Sequence, residues 1–231
     1  MINQLKNKDV MSSIADRIKE INASLPQGTR LVAVSKFHPA EAVQEAYDAG
    51  HRMFGENKVQ ELVAKKELLP SDISWHFIGH LQTNKVKMIV PFVALIHSVD
   101  TEHLLKEIDK QAAACGRTVE CLLEVHVARE ETKFGFSPEE VRDLFANGAY
   151  KAYEHVKIVG IMGMASHVDD EGEIRKEFHA LKTLFDEVKN DYAPAFRELS
   201  MGMSGDYHIA VEEGSTLVRI GTYIFGERLY V

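Results

Sequence analysis

Cysteine is scarce in this chain of 231 residues: Cys115 and Cys121 are the only two, and they form neither a CxxC nor a Cys/His ligand spacing. A chain this long can bury enough apolar surface to fold without disulfides, so the pair reads as two unpaired structural thiols in a reducing, cytoplasmic setting. Basic charge is short as well, with 27 Lys and Arg against 35 Asp and Glu, a formal net charge of -8 and no clustered basic face. That balance repels a phosphate backbone and argues against nucleic acid as a partner. Long hydrophobic runs are missing, none approaching the roughly 20 residues that span a bilayer. The polar first segment, MINQLKNKDVMSSIADRIKEINASLPQG (1–28), lacks the apolar stretch of an export signal. No membrane association is expected. No Ser/Gly-rich linker, low-complexity tract or repeat marks a boundary, so one domain is expected over 1–231. Eleven histidines are present, but no HxH or HExxH spacing, and no metal site is expected.

What the chain does have is rhythm. Val10, Met11, Ile14, Ile18, Ile21 and Leu25 recur at helical spacing until Pro26 and Gly28 stop them, predicting an N-terminal helix that packs on the rest of the fold. LVAVSK (31–36) follows, apolar on consecutive positions, as a strand covered on both faces reads. Pro39 then opens a helical stretch that Gly50 closes, and HRMFGE supplies the next strand. Further short runs are WHFIG, VALIHSV, VECLLEVHV, VKIVGIMGM, RELSM and TLVRIG, separated mostly by amphipathic segments. About eight strands alternating with helices in a chain of this length predict a single-domain (β/α)8 barrel of the TIM type rather than an open sheet. The acidic stretch VDDEGEIRKE leads into one of the helices and reads as a solvated helix start.

In a parallel barrel the functional groups gather at the carboxyl ends of the strands. Those positions hold Lys36, Asn57, His80 with Gln82, Ser166 with His167, the SMGMSGD segment (200–206) and Gly221 with Thr222. Lys36 ends an apolar strand. It either extends past the strand end to solvent or is partly desolvated, which lowers its pKa and leaves an amine able to attack an aldehyde. Hydroxyls and glycines in SMGMSGD and at Gly221 and Thr222 are suited to surround a phosphate near the last two strands. Arg219 lies inside the run LVRIG, where a permanent charge needs either a carboxylate partner or a specific function. His76, His97 and His126 fall within expected strands and read as satisfied structural groups.

Taken together, VAVSK, FGENKVQE, WHFIGHLQTNK, KFGF (133–136), VGIMGMAS, LSMGMSGD and VRIGTYIFGE resemble the pyridoxal phosphate homeostasis protein family across 31–227. The resemblance implies a barrel similar to the N-terminal domain of alanine racemase, with pyridoxal 5'-phosphate held as a Schiff base on Lys36. It implies phosphate contacts at Ser204, Gly221 and Thr222 with Ser200 close by, Arg219 facing the pyridine nitrogen, and a wall of Asn57, His80, Met164 and Met201. Lys58 and His126 depart from the family's commoner residues and are placed at the pocket mouth.

The function this implies is custody and supply of the cofactor to pyridoxal phosphate-dependent apoenzymes, within vitamin B6 homeostasis, rather than catalysis. An arginine does not readily give up a proton, so the ring nitrogen stays unprotonated and the ring a weak electron sink. The racemases resembling this barrel add a C-terminal domain with a catalytic tyrosine, and the chain ends at Val231 after IFGERLY, so a monomeric carrier is the expectation. The alternatives are a single-domain amino-acid racemase or lyase, with Tyr150, Tyr153 or Tyr207 as acid/base groups, and an aldolase-like barrel using Lys36 on a sugar phosphate without cofactor.

Overall fold

The computed structural model describes residues 13–127 and 134–227. Its strands are β1 (Arg30–Val34), β2 (Met53–Glu56), β3 (Ser74–Phe77), β4 (Leu95–Val99), β5 (Val119–Glu124), β6 (Val156–Met162), β7 (Glu198–Ser200) and β8 (Leu217–Ile220). The helices are α1 (Ile14–Ser24), α2 (Ala40–Asp48), α3 (Val59–Leu68), α4 (Val86–Ile89), α5 (Glu102–Ala114), α6 (Pro138–Ala146), α7 (Glu171–Asp191), α8 (Tyr207–Glu212) and α9 (Thr222–Phe225). Each strand pairs in parallel with its chain neighbour, and β8 pairs with β1 to close the barrel. The β/α alternation read from the sequence therefore becomes a closed (β/α)8 barrel.

Side chains of a strand alternate between its faces, and closure turns one face inward and the other toward the helices. In β1, Leu31 and Ala33 join the large apolar cluster under the helices, whereas Val32 joins a smaller cluster with Leu95, Leu122, Val159, Met162 and Leu217. That smaller cluster fills the barrel interior. Both faces are thus buried, which is why the strands read as continuous apolar runs. β6 and β7 approach so closely that a Cβ at Gly160 would lie 1.7 Å from the Glu198 carbonyl oxygen, its register partner. Only glycine fits there.

Local signals set the helix starts. Ser137 and Glu140 form a capping box with Pro138 in the first turn of α6, and the Asp170 carboxylate accepts the N–H groups of Gly172 and Glu173 to start α7. The acidic stretch is a helix start, as its sequence suggests. α1 buries Ile18 and Ile21 and packs on α2 and α9. Val10 and Met11 of the same periodic run lie outside the described residues. Among the described residues no helix is long and apolar enough to cross a membrane, and both cysteines are free, Cys121 buried and Cys115 exposed.

Candidate functional site

Beyond the end of β1 the alternation continues. Ser35 turns outward and is fully buried, donating its hydroxyl to Glu56 Oε1 at 2.6 Å, while Val34 and Lys36 turn inward. They line a cavity of about 290 Å³ at the carboxyl end of the barrel, together with Met164, Ser204, Arg219, Gly221 and Thr222. That size is at the lower end for small-molecule pockets. Lys36, those five residues and His167, all singled out in the sequence and contributed by β8 and the segments after β1, β6, β7 and β8, thus meet in one place. Lys36 is half-buried there.

Arg219 enters the interior because β8 alternates, with Leu217 in the inner cluster and Val218 and Ile220 in the outer one. Arg219 is 5% exposed, and among the described residues no carboxylate bonds it. Nη1 donates to the carbonyl and hydroxyl oxygens of Ser200 at 2.9 and 2.6 Å, and Nη2 to the Gly163 carbonyl at 3.0 Å. Burial lowers its pKa to about 10, opposed by the more distant charges of Asp206 and Glu124, so it stays cationic at neutral pH. The salt bridge considered for Arg219 in the sequence is not what holds it; neutral oxygens are.

Behind Arg219 a hydrogen-bonded chain crosses the barrel. Ser200 Oγ lies 2.9 Å from His97 Nδ1, His97 Nε2 lies 2.8 Å from His76 Nδ1, and His76 Nε2 lies 3.4 Å from Ser74 Oγ. Arginine cannot accept, so Ser200 accepts from it and has its own proton to give to His97. Both imidazoles then carry their proton on Nε2 and are neutral. Burial holds His76 down to about 3 and His97 well below the ordinary histidine range, with neighbouring positive charge adding to each. These two histidines are satisfied interior groups, as their strand positions suggest; His126 lies just past β5.

Ser204 also lines the cavity, and its Oγ accepts the Gly221 N–H at 3.4 Å. The first intrahelical bonds of α9 come from Ile224 and Phe225 to the Gly221 carbonyl, so the N–H groups of Thr222 and Tyr223 precede them and are available to an anion. Gly202, at φ 92°, lets the chain turn into this segment, where a Cβ would meet Ala210 at 2.5 Å. Asp206 also lines the cavity, but its carboxylate is committed to the Met203 N–H.

The remaining candidates lie elsewhere. Ser200 is fully buried beneath Arg219, and Met201, one residue on, faces the outer core. Asn57 follows β2 against Gly79, and its Oδ1 is buried without a hydrogen-bond partner among the described residues. His80 lines a neighbouring hollow with Asp100, to which it bonds at 3.0 Å, and Phe134, on which it stacks. Lys58 Nζ sits 4.5 Å from the centre of the Phe37 ring, and neither it nor His126 is among the residues lining the cavity. Lys133 lies outside the described residues. The sequence reading did not single out Val34, His38 and Ile78 as lining residues. His38 reaches the cavity through the turn at Lys36 and Phe37, closed by its N–H on the Ser35 carbonyl at 3.1 Å, and not through strand alternation.

A covalently held phosphorylated aldehyde needs an inward amine, a hydroxyl and N–H-rich anion end, and a donor for a ring nitrogen. The cavity supplies Lys36, the Ser204/Gly221/Thr222 end and Arg219, which no carboxylate bonds among the described residues. The residues present fit such a group.

Comparison with known proteins agrees with this geometry. Residues 11–229 match the family model described as the N-terminal domain of alanine racemase. The pyridoxal phosphate homeostasis protein of Aquifex aeolicus (strain VF5) is 41% identical over 224 residues, 95% of this chain and 97% of its own. The structure of PipY from Synechococcus elongatus PCC7942 with PLP bound superposes with a TM-score of 0.84 at 38% identity, covering 93% of this chain and 100% of that one. Alanine racemase from E. faecalis shares the fold alone, with a TM-score of 0.72 at 18% identity over 93% of this chain and 57% of the racemase. The chain belongs to the family of the alanine racemase N-terminal domain and, within it, to the pyridoxal phosphate homeostasis proteins.

Proposed function

We propose that this protein holds pyridoxal 5'-phosphate covalently on Lys36 and serves its custody and supply to dependent apoenzymes, rather than transforming an amino acid. The observation that carries the reading is the meeting of Lys36, Arg219, Ser204, Gly221 and Thr222 around one cavity. When bound, the group supplies an electrophilic aldehyde that exchanges between amines. Lys36 Nζ would hold the aldehyde carbon. Ser204 Oγ, the Thr222 hydroxyl and N–H, and the side-chain-free backbone of Gly221 would hold the phosphate. Met164 and Ile78 would cover apolar ring surface and exclude water. Arg219 would face the ring nitrogen and, remaining cationic, donate to it without surrendering a proton. Such a site supports formation and exchange of the covalent link and gives weak support to carbanion chemistry. Asn57 would supply a further polar contact near the strand ends, where its Oδ1 lacks a partner among the described residues. Ser200 would act through Arg219, and Met201 through packing behind the site. His80 would belong to the approach rather than to the cavity. The reading includes a monomeric protein in the cytoplasm.

The test is visible absorbance and borohydride-trapped mass for the wild type and Lys36→Ala after addition of the cofactor. The wild type should gain a visible band and one adduct mapped to residue 36, and the variant should lose both. An adduct of undiminished yield in Lys36→Ala would sink the assignment.

A further inference from the structure

Lys36 sits in an unusual turn. Phe37 after it has φ 66°, and among the described residues it is the one non-glycine with positive φ. A side chain in that region is sterically disfavoured, so surrounding contacts must hold the turn. The contacts come from α3 and the end of β2. Lys65 Nζ, on α3, donates to the Ser35 carbonyl at 2.7 Å, to Glu56 Oε1 at 2.6 Å and to Glu61 Oε1 at 2.8 Å. The same Glu61 oxygen accepts the Phe37 N–H at 2.7 Å, and the same Glu56 oxygen accepts the Ser35 hydroxyl.

The Ser35 carbonyl belongs to the peptide unit before Lys36, and the Phe37 N–H to the one after it. Both are therefore bonded to a single ion-pair cluster, whose Lys65 and Glu56 side chains are 6% and 0% exposed. A buried ion pair adds little net stability over an apolar core, because desolvation offsets the attraction; its commoner use is to select one conformation. Here the conformation selected is the one on either side of the reactive amine.

We infer that Lys65, with Glu56 and Glu61, is the positioning cluster for Lys36, fixing both flanking peptide units so that the amine is presented to the cavity. The inference rests on the proposed covalent role of Lys36. Without the cluster, the turn would relax, and Lys36 would explore orientations that do not reach the aldehyde. The phosphate end, built from the segments after β7 and β8, would be unaffected. Covalent capture and phosphate anchoring should therefore separate in a variant.

Lys65→Met keeps the apolar stem and removes the ammonium; Glu56 then becomes a neutral acid readily, since burial already raises its pKa to about 7. Two probes are used on the full chain: pyridoxal 5'-phosphate, and 4'-deoxypyridoxine 5'-phosphate, which lacks the aldehyde. In Lys65→Met the rate of borohydride-trappable adduct formation should fall about tenfold or more, while affinity for the deoxy probe stays within about twofold of wild type. Glu61→Ala, at a site with a more exposed side chain, removes the acceptor of the Phe37 N–H and should show the same split at smaller size. It also decides the matter if Lys65→Met does not fold. Wild-type capture rates in a folded Lys65→Met, or in Glu61→Ala, would overturn the inference, as would equal losses for both probes. If Lys36→Ala also retains the adduct, the failure belongs to the proposed function; if Lys36→Ala abolishes it, the failure belongs to the cluster alone.

Discussion

The neutral histidine pair inside the barrel makes stability depend on pH in a way that one substitution isolates. His76 and His97 share a hydrogen bond of 2.8 Å, and burial holds the His76 imidazole neutral down to about pH 3. A second proton on His76 would sit on Nδ1, facing the Nε2 proton of His97. In the unfolded chain the same imidazole titrates at about 6.5, so below that pH the unfolded state takes up a proton that the folded state refuses. The folded pKa is depressed, and stability therefore falls as pH falls, from about 6.5 toward about 3. Each pH unit in that window is worth about 1.4 kcal/mol, so one such histidine contributes a loss of about 2 kcal/mol between pH 8 and pH 5. His76→Gln keeps a polar side chain able to meet His97 and Ser74 but cannot titrate. Its stability relative to wild type should therefore rise by about 2 kcal/mol as pH is lowered from 8 to 5, whatever the fixed cost of substitution. Urea unfolding of both proteins at pH 8, 7, 6 and 5 reads this as a relative midpoint shift on the order of 1 M. A wild-type-minus-variant difference that stays constant across the series would refute the neutral buried imidazole.

Glu124 should show the opposite sign. Burial, with Asp100 nearby, raises it to about 7 against the opposing pull of Arg219, so its contribution to stability is present at low pH and lost as pH rises through about 7. Glu124→Gln should accordingly gain on the order of 3 kcal/mol relative to wild type between pH 4.5 and pH 8, and no gain in the same unfolding series would contradict the buried carboxyl. Gly160→Ala should cost more than about 4 kcal/mol and be recovered mainly as insoluble protein, because its methyl group would overlap the Glu198 carbonyl; a soluble variant melting within about 2 °C of wild type would show that β6 and β7 can separate freely.

The barrel was legible because closure buries both faces of every strand, so each strand announces itself as an apolar run between amphipathic stretches. The site was legible where it depends on strand ends: Lys36, Ser204, Arg219, Gly221 and Thr222 follow or close such runs, and the barrel brings those ends to one mouth. Pairings across the interior were not. The chain from Ser74 through His76, His97 and Ser200 to Arg219 joins residues up to 145 positions apart in number, from 74 to 219, and no local pattern encodes which inward residues meet. Parity limits the wall as well. Ser200 and Met201 are adjacent in an extended segment and cannot both face inward, and the barrel turns Ser200 in and Met201 out. Lys65 is the sharpest case, since a lysine on an amphipathic helix reads as solvated, yet its ammonium is buried on two carboxylates and the Ser35 carbonyl.

How Arg219 is held bears on why a chain of net charge -8 can attract an anion. Surface charge is screened beyond about 8 Å at physiological salt, so the long-range repulsion is weak near the mouth, and local potential decides binding. An arginine bonded to a carboxylate would contribute little to that potential. Arg219 is instead fixed by two carbonyls and a hydroxyl, and Ser200 in turn is fixed by His97, which is neutral because it is buried. Of the two acids whose charge reaches it, Asp206 bonds the Met203 N–H rather than the guanidinium, and Glu124 is raised to about 7, so a substantial fraction of it is uncharged at neutral pH. The interior network thus orients the guanidinium through neutral oxygens alone, and a barrel with a net negative charge places a cation that no carboxylate bonds, among the described residues, at the wall of the cavity that a phosphorylated ligand would enter.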